Sequence, residues 1–126
     1  MSLNLPGAVA GIGIDVIDID RVKLAHQKHG DAFLDRVFTG DEIKFCSSKL
    51  NPFPSYAVRF AAKEAVFKAL SQVGIRIVSW QDIAINQSSD GVPGLTVEGV
   101  TGYVFHLSMS HTTTLATAIV VIERIS

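Results

Sequence analysis

Residues 56–70 form the strongest helix pattern in this chain, and the expected fold is organised around them. Ala57, Ala61, Ala65 and Ala69 recur every four residues, and alanine and lysine, which both favour helices, dominate the segment. Capping signals before it predict three short helices, whereas the segments after it alternate apolar and polar residues, as strands do. This order predicts an α+β fold in which an antiparallel sheet packs on a long central helix.

An apolar, β-branched run at residues 8–17 predicts a buried first strand. Gly11 and Gly13 lie inside it, and glycine in a strand indicates a bulge or a close approach of another backbone. Asp15 is the exception, because a buried carboxylate without a partner costs several kcal/mol or changes its pKa. We therefore expect Asp15 to meet a cation or hydrogen-bond donors, unless it simply caps the next helix.

Length and composition restrict the class of protein. The 126 residues are enough for one domain, spanning 1–126, and the 48% hydrophobic content can build a core. A net charge of −1 argues against bulk electrostatic binding of nucleic acid or an anionic membrane. The single cysteine, Cys46, excludes an internal disulfide, and no signal peptide or bilayer-spanning run is visible. We therefore expect a cytoplasmic protein without nucleic acid or membrane partners.

Two polar segments interrupt the core pattern. On the central helix, Arg59, Lys63, Glu64 and Lys68 lie close together, and Glu64 and Lys68 have the spacing of a helix salt bridge, so a solvated charged face is the simplest interpretation. Residues 108–114, at the end of a predicted strand, offer hydroxyls, an imidazole and turn amides. They form either a surface that binds anions or an ordinary polar turn.

Taken together, these positions predict phosphate chemistry. Asp15 and Glu64 are hard oxygen ligands suited to Mg²⁺, and two ligands are too few for a protein cage. Such an ion would keep waters and take phosphate oxygens from a substrate, while the neighbouring lysines and arginine would neutralise a polyphosphate. These expectations favour phosphate transfer over a structural metal site.

The three segments also resemble a known family, the holo-[acyl-carrier-protein] synthases, which are the small bacterial class of 4'-phosphopantetheinyl transferases. The matching residues are Gly11-Ile-Gly-Ile-Asp15 with Arg21, Arg59-Phe-Ala-Ala-Lys-Glu64-Ala-Val-Phe-Lys68-Ala-Leu70, and Ser108-Met-Ser-His111. Their order and spacing fit the family from about residue 10 to residue 124. The F-x-x-K-E-A-x-x-K element is highly specific, whereas each of the other two is weak alone.

The resemblance implies a reaction in which a serine of apo-acyl carrier protein attacks the β-phosphate of coenzyme A. The 4'-phosphopantetheine moves to the serine, and adenosine 3',5'-bisphosphate leaves. In the family, the carboxylates at the positions of Asp15 and Glu64 bind Mg²⁺. Glu64 is the candidate to accept the serine proton, and Lys68 is expected to hold the diphosphate and to assist the leaving group.

The resemblance also implies a homotrimer with each site between two protomers. Asp15, Glu64 and Lys68 would come from one chain, and a larger set from its neighbour would cradle the adenine and the 3'-phosphate: Arg59, Pro93, Ser110, His111 and Thr112. Lys63 and Ser71 are further expected contacts of coenzyme A, although Ser71 replaces a glycine that is usual in the family. Arg21 and Lys28 on the first helix would dock the acidic carrier protein.

Two other classes of protein compete with the enzyme. A non-catalytic module could use the same fold to bind coenzyme A or a carrier protein. A purely structural α+β subunit is the second alternative, and it predicts no metal-dependent change in the affinity for coenzyme A. The presence of Asp15, Glu64 and Lys68 together favours the enzyme, because binding alone does not require both candidate metal ligands.

Overall fold

A computed structural model describes residues 5–77, 79–87 and 90–125 of the chain. Within these ranges, four α-helices and five strands follow one another, and after a first strand the helices precede the other strands, as predicted. They are β1 (Val9–Asp18), α1 (Ile19–His29), α2 (Asp31–Val37), α3 (Gly40–Ser47), α4 (Phe53–Ser71), β2 (Ile83–Gln87), β3 (Pro93–Val97), β4 (Tyr103–His111) and β5 (Leu115–Arg124). The predicted α+β fold with antiparallel sheets on a long helix is confirmed.

The helix ends follow local sequence signals in most places. Thr39 and Glu42 form the predicted capping box of α3, in which each side chain bonds the other residue's backbone N–H. Gly30 ends α1 with a φ of 63°, which favours glycine. Gly30 is also the N-cap residue of α2, which begins at Asp31. Asp15 does not cap a helix, since it lies inside β1.

The main sheet has three antiparallel strands in the order β1-β5-β4, so β1 is an edge strand. Asp15 lies opposite Ala118, and Ser110 lies opposite Thr117 on the other side of β5. One face of the sheet packs on α4. The other face is exposed and partly apolar, which corrects the prediction of a fully buried first strand; its exposed aliphatic side chains include Ile12, Ile14, Val16 and Ile119.

Small residues allow β1 to lie directly on α4. A Cβ atom at Gly13 would overlap the backbone carbonyl of Ala65, and one at Gly11 would overlap the carbonyl of Ala69. Because the overlapping atoms belong to the helix backbone, a change of side-chain rotamer cannot relieve the overlap. The close approach predicted from the two glycines is therefore confirmed, and the alanines of α4 provide the matching surface.

The second sheet pairs β2 with β3 and packs against α3 and α4. The two strands pair in antiparallel fashion, and residues 88 and 89 of their connection lie outside the described residues. Trp80, in a short 3₁₀ turn before β2, contacts the rings of Phe60 and Phe67 at centroid distances of 5.1 Å each. Within the described part of the chain, no helix has the length and apolarity needed to cross a membrane.

Candidate active site

The first polar cluster lies where β1 meets the C-terminal half of α4. The Lys68 ammonium donates to the Asp15 carboxylate at 3.1 Å and to the carbonyl oxygen of Ile14 at 2.8 Å. Lys68 thus supplies the cation that Asp15 requires inside an apolar strand. The helix salt bridge expected between Glu64 and Lys68 is not formed among the described residues, because the lysine turns toward β1 instead.

Glu64 is the unpartnered member of this cluster. Its carboxylate is half-buried and makes no hydrogen bond or ion pair within residues 5–77, 79–87 and 90–125. Burial raises the pKa of Glu64, the nearby Asp15 carboxylate raises it further, and Lys68 opposes the rise. The cluster therefore contains more negative charge than Lys68 alone balances, which suits a cationic ligand.

The donor set fits Mg²⁺ better than metals that need more protein ligands. Asp15 and Glu64 supply carboxylate oxygens, and the described residues contain no group of three or more His, Cys, Asp or Glu side chains that could hold an ion. Two carboxylates leave most coordination positions to water or to substrate oxygens, as is usual for Mg²⁺. The residues present thus fit the ion that the resemblance implies.

Lys63 is placed differently from the prediction. Its side chain is fully buried, and its ammonium lies 2.7 Å from the Glu42 carboxylate while donating to the carbonyl oxygens of Val37 (2.9 Å) and Trp80 (3.1 Å). Burial lowers the pKa of Lys63, and Glu42 opposes that effect. This position is inconsistent with binding of coenzyme A, because all three ammonium hydrogens already have partners inside the chain.

A second group of predicted residues lines a cavity of about 240 Å³ at the N-terminal half of α4. Arg59, Ser110 and His111 all border this cavity. Arg59 is only 3% exposed; its guanidinium donates to the carbonyl oxygen of Ser55 and lies 4.5 Å from the centre of the Phe45 ring. Among the described residues its Nε atom is buried without a hydrogen-bond partner. The positive charge of Arg59 at the wall of the cavity suits an anionic ligand.

Sequence reasoning missed Lys49, which also lines this cavity. The Lys49 ammonium lies 4.6 Å from the centre of the Phe45 ring, so two cations approach the same ring and the same cavity. Its position, just before the proline-containing segment that opens α4, gave no periodic or motif signal. Only the packing of α3 beside α4 brings Lys49 near Arg59.

The polar turn between β4 and β5 contributes His111 and Thr112. The His111 Nδ1 atom lies 3.1 Å from the carbonyl oxygen of Thr112, so that nitrogen carries the hydrogen and Nε2 is left to accept one from a ligand. The Thr112 hydroxyl accepts from the backbone N–H groups of Thr114 and Leu115 and fixes the turn. His111 and Thr112 also border an adjoining open cavity of about 620 Å³.

The remaining predicted residues lie around these two groups. Pro93 begins β3 opposite Gln87, which lines the Arg59 cavity. Ser71 donates its hydroxyl hydrogen to the Lys68 carbonyl at 2.7 Å and borders a groove of about 410 Å³. Arg21 and Lys28 are exposed on α1.

Within one chain, the Asp15 cluster and the Arg59 cavity are separate. Arg59 and Lys68 are nine residues apart on α4, which corresponds to about 14 Å along the helix axis. The structure therefore brings Asp15, Glu64 and Lys68 together at one place and Arg59, Ser110 and His111 at another. This division follows the two groups that the resemblance assigns to different protomers.

The sequence profile of the 4'-phosphopantetheinyl transferase superfamily matches residues 11–120, which include both groups. The chain belongs to this superfamily. Holo-[acyl-carrier-protein] synthases are similar to this chain over most of its length. Those of Thermodesulfovibrio yellowstonii and Chloroherpeton thalassium are each 41% identical, covering 90% and 89% of this chain and 98% and 96% of their own.

Solved structures agree with the family assignment. A holo-(acyl-carrier-protein) synthase from Bacillus anthracis, in complex with CoA (3',5'-ADP), is 36% identical with a TM-score of 0.79 and covers 92% of this chain and 97% of its own. The Helicobacter pylori enzyme in complex with coenzyme A is 34% identical with a TM-score of 0.76, covering 89% of this chain and 99% of its own. The resemblance found in the sequence motifs is thus confirmed at the level of the family.

Proposed function

We propose that this chain is a cytoplasmic, Mg²⁺-dependent holo-[acyl-carrier-protein] synthase of lipid metabolism. It transfers 4'-phosphopantetheine from coenzyme A to a serine of apo-acyl carrier protein and releases adenosine 3',5'-bisphosphate. The observation that carries the proposal is the half-buried Glu64, which has no hydrogen-bond or ion-pair partner among the described residues and lies beside Asp15 and Lys68. The cluster thus combines an available carboxylate, a second candidate metal ligand and a cation. A module that only binds coenzyme A needs no such cluster.

Glu64 is the candidate base for the attacking serine. The reaction removes the serine proton as the hydroxyl oxygen bonds to the β-phosphorus, and the bond from that phosphorus to the bridging oxygen breaks. Glu64 is half-buried and accepts no hydrogen bond from the described residues, so its carboxylate is available to take the proton. Lys68, one helical turn further on, would leave Asp15 and bind the diphosphate oxygens, where it stabilises the charge on the leaving group.

Asp15 and Glu64 would hold Mg²⁺ in the working enzyme. Both oxygen donors are present, and the cluster lacks enough positive charge without an ion. When bound, the ion would neutralise diphosphate charge and orient the β-phosphorus. All other steps of the proposal depend on the side chains of this chain.

The Arg59 cavity is the proposed site for the nucleotide end of coenzyme A. Arg59 and Lys49 would pair with the 3'-phosphate, because both cationic side chains line this cavity. Ser110, His111 and Thr112, with Pro93 nearby, would contact the rest of the nucleotide.

A homotrimer would join the two groups of residues across an interface. The distance of about 14 Å between them along α4 is difficult to bridge on one chain, because a diphosphate and a ribose phosphate are closely linked in coenzyme A. The exposed face of the main sheet supports the proposal, since Ile12, Ile14, Val16 and Ile119 form an apolar surface that a second copy could cover. Arg21 and Lys28 on α1 remain exposed to dock the acidic carrier protein.

Mass spectrometry of apo-acyl carrier protein, incubated with coenzyme A, Mg²⁺ and the purified chain, tests the proposed activity. We expect a mass gain of one phosphopantetheine group, which Glu64→Gln removes almost completely. Glu98→Gln serves as the matched control, because Glu98 is exposed on a turn and lines neither cavity of the nucleotide group. If no mass gain occurs at any enzyme concentration, the non-catalytic module replaces the enzyme.

Subunit complementation tests the site between protomers. Arg59→Met and Glu64→Gln are each expected to be inactive, but a trimer assembled from both chains would contain some sites with an intact Arg59 and an intact Glu64. Random assembly gives roughly a quarter of the wild-type activity. Continued inactivity of co-refolded mixed trimers would place the whole site within one chain.

A further inference from the structure

The outer edge of β1 is tied to α4 by two side chains. The Ile12 backbone N–H donates to the Gln72 side-chain carbonyl at 2.8 Å, and the Ile14 carbonyl accepts from the Lys68 ammonium at 2.8 Å. β1 is an edge strand, so these groups face away from β5 and would otherwise lack partners in the sheet. Both bonds lie within three residues of Asp15.

Gln72, the C-cap residue of α4, continues a regular row of side chains on that helix. Glu64, Lys68 and Gln72 are spaced by four residues, so they follow one another along the same side of the helix end. Lys68 contacts Asp15 and Ile14, and Gln72 contacts Ile12. Later positions on the helix therefore contact earlier positions on β1, so the two elements run in opposite directions here. The row that contains the candidate base therefore continues into a residue that only holds the strand.

The glycine contacts alone do not fix how far β1 slides along α4. Gly11 and Gly13 bring the two backbones together through packing, which has little directionality. The bond that the Ile12 N–H donates to Gln72 and the bond that Lys68 donates to the Ile14 carbonyl are directional and orient the outer edge of β1 against the helix. The pairing with β5 and the Thr117 hydroxyl, which donates to the Asp15 carbonyl oxygen, hold the inner edge. When Lys68 leaves for the diphosphate, as the proposed function requires, Gln72 is the remaining side-chain tie at this edge among the described residues.

We infer that Gln72 is a positioning residue that holds Asp15 beside Glu64 by bonding the edge of β1, and this inference rests on the proposed function. Gln72 touches neither substrate nor metal in this role. A shift of about 1 Å in a catalytic or ligand group is enough to weaken a site. Loss of the bond should therefore weaken binding of the divalent ion more than it slows turnover once the site is filled.

Two substitutions separate the hydrogen bond from the bulk of the side chain. Gln72→Met keeps the length but removes the acceptor, whereas Gln72→Glu keeps an acceptor for the Ile12 N–H. Gln27→Met on α1 is the matched control, because Gln27 is exposed and its side chain makes no hydrogen bond among the described residues. Gln72 is itself exposed, so both of its variants should fold, which thermal melting verifies.

Hydrogen exchange of the Ile12 amide, measured without metal or coenzyme A, reads the bond directly. Protection should fall about fivefold in Gln72→Met, as expected for a bond worth about 1 kcal/mol, and should be retained in Gln72→Glu and Gln27→Met. Direct Mn²⁺ titration of the coenzyme A complex should then show at least about threefold weaker binding in Gln72→Met, with kcat at saturating ion within about twofold of the wild type.

The inference is overturned if Ile12 keeps its protection in Gln72→Met, or if protection is lost while Mn²⁺ affinity stays unchanged. It is also overturned if kcat and melting temperature fall together with unchanged Mn²⁺ affinity, since that result indicates a purely structural role. The wild-type chain distinguishes the two proposals: absence of transfer to apo-acyl carrier protein rejects the proposed function, whereas the Ile12 amide still reports whether Gln72 holds the strand.

Discussion

Replacing Lys63 with methionine tests the reassignment of this lysine from ligand binding to the core. Methionine resembles the lysine stem in length but removes the ammonium, whose three partners are the Glu42 carboxylate and the carbonyl oxygens of Val37 and Trp80. The substitution leaves a fully buried carboxylate without its counter-charge. Removing one partner of a buried ion pair costs about 3–5 kcal/mol.

The structure places the expected loss at the lower end of that range. Glu42 keeps two backbone donors after the substitution, the N–H groups of Thr39 (2.8 Å) and Ile85 (2.6 Å), and these bonds continue to stabilise its charge. We therefore expect the free energy of unfolding to fall by about 3 kcal/mol. With a slope of about 2 kcal/mol per molar urea, the unfolding midpoint should fall by about 1.5 M.

Urea unfolding followed by circular dichroism measures this loss, with Lys44→Met as the control. Lys44 is exposed on α3, so its replacement should change stability by less than about 0.5 kcal/mol. In the double variant Glu42→Gln/Lys63→Met, the total loss should be smaller than the sum of the single losses by about 1–3 kcal/mol, because the two side chains interact directly. A loss below about 1 kcal/mol in Lys63→Met would refute the buried network and return Lys63 to the ligand site.

Three further predictions concern the site and its support. Glu64→Gln should abolish most turnover yet raise the melting temperature in metal-free buffer at pH 7. Because the pKa of Glu64 is raised in the fold, its ionisation destabilises the protein above about pH 4.5, so the gain in melting temperature should disappear below about pH 4. An unchanged melting temperature at pH 7 would contradict the burial of this carboxyl group. His111→Ala should raise the KM for coenzyme A more than it lowers kcat, and steady-state kinetics showing a large kcat loss at saturating coenzyme A would give His111 a catalytic role. Gly13→Ala should cost about 1–3 kcal/mol in urea unfolding, because the new Cβ overlaps the Ala65 carbonyl, and a neutral result would mean that β1 can move away from α4 freely.

Local signals determined much of the fold. The alanine spacing in α4, the capping box at Thr39, Gly30 after α1 and the alternating strands were all readable, because each depends on residues close in sequence. Gly11 and Gly13 even indicated the close backbone contact, since few other reasons place two glycines in an apolar strand. The family motifs were readable for the same reason: they are short and contiguous.

The partners of charged side chains could not be predicted in this way. Helix spacing favoured a Glu64–Lys68 pair, but Lys68 bonds Asp15, 53 positions away, and leaves Glu64 free. In the sequence, Lys63 could not be distinguished from the other charged residues of the helix, yet its side chain points into the core toward Glu42. Charged side chains on one helical turn point in several directions. Which of them becomes buried depends on the strands and helices that pack around that turn.

The amino-acid sequence by itself determined the elements, their order, the family and the acidic and basic residues from which a phosphate-transfer site can be built. Only the tertiary structure decided that Lys63 is internal, that Lys49 joins Arg59, and that Gln72 bonds the edge of the strand carrying Asp15. The physical reason is range: helix and turn preferences arise from neighbours in sequence, whereas burial, ion pairing and pKa depend on groups that meet only after the chain has packed.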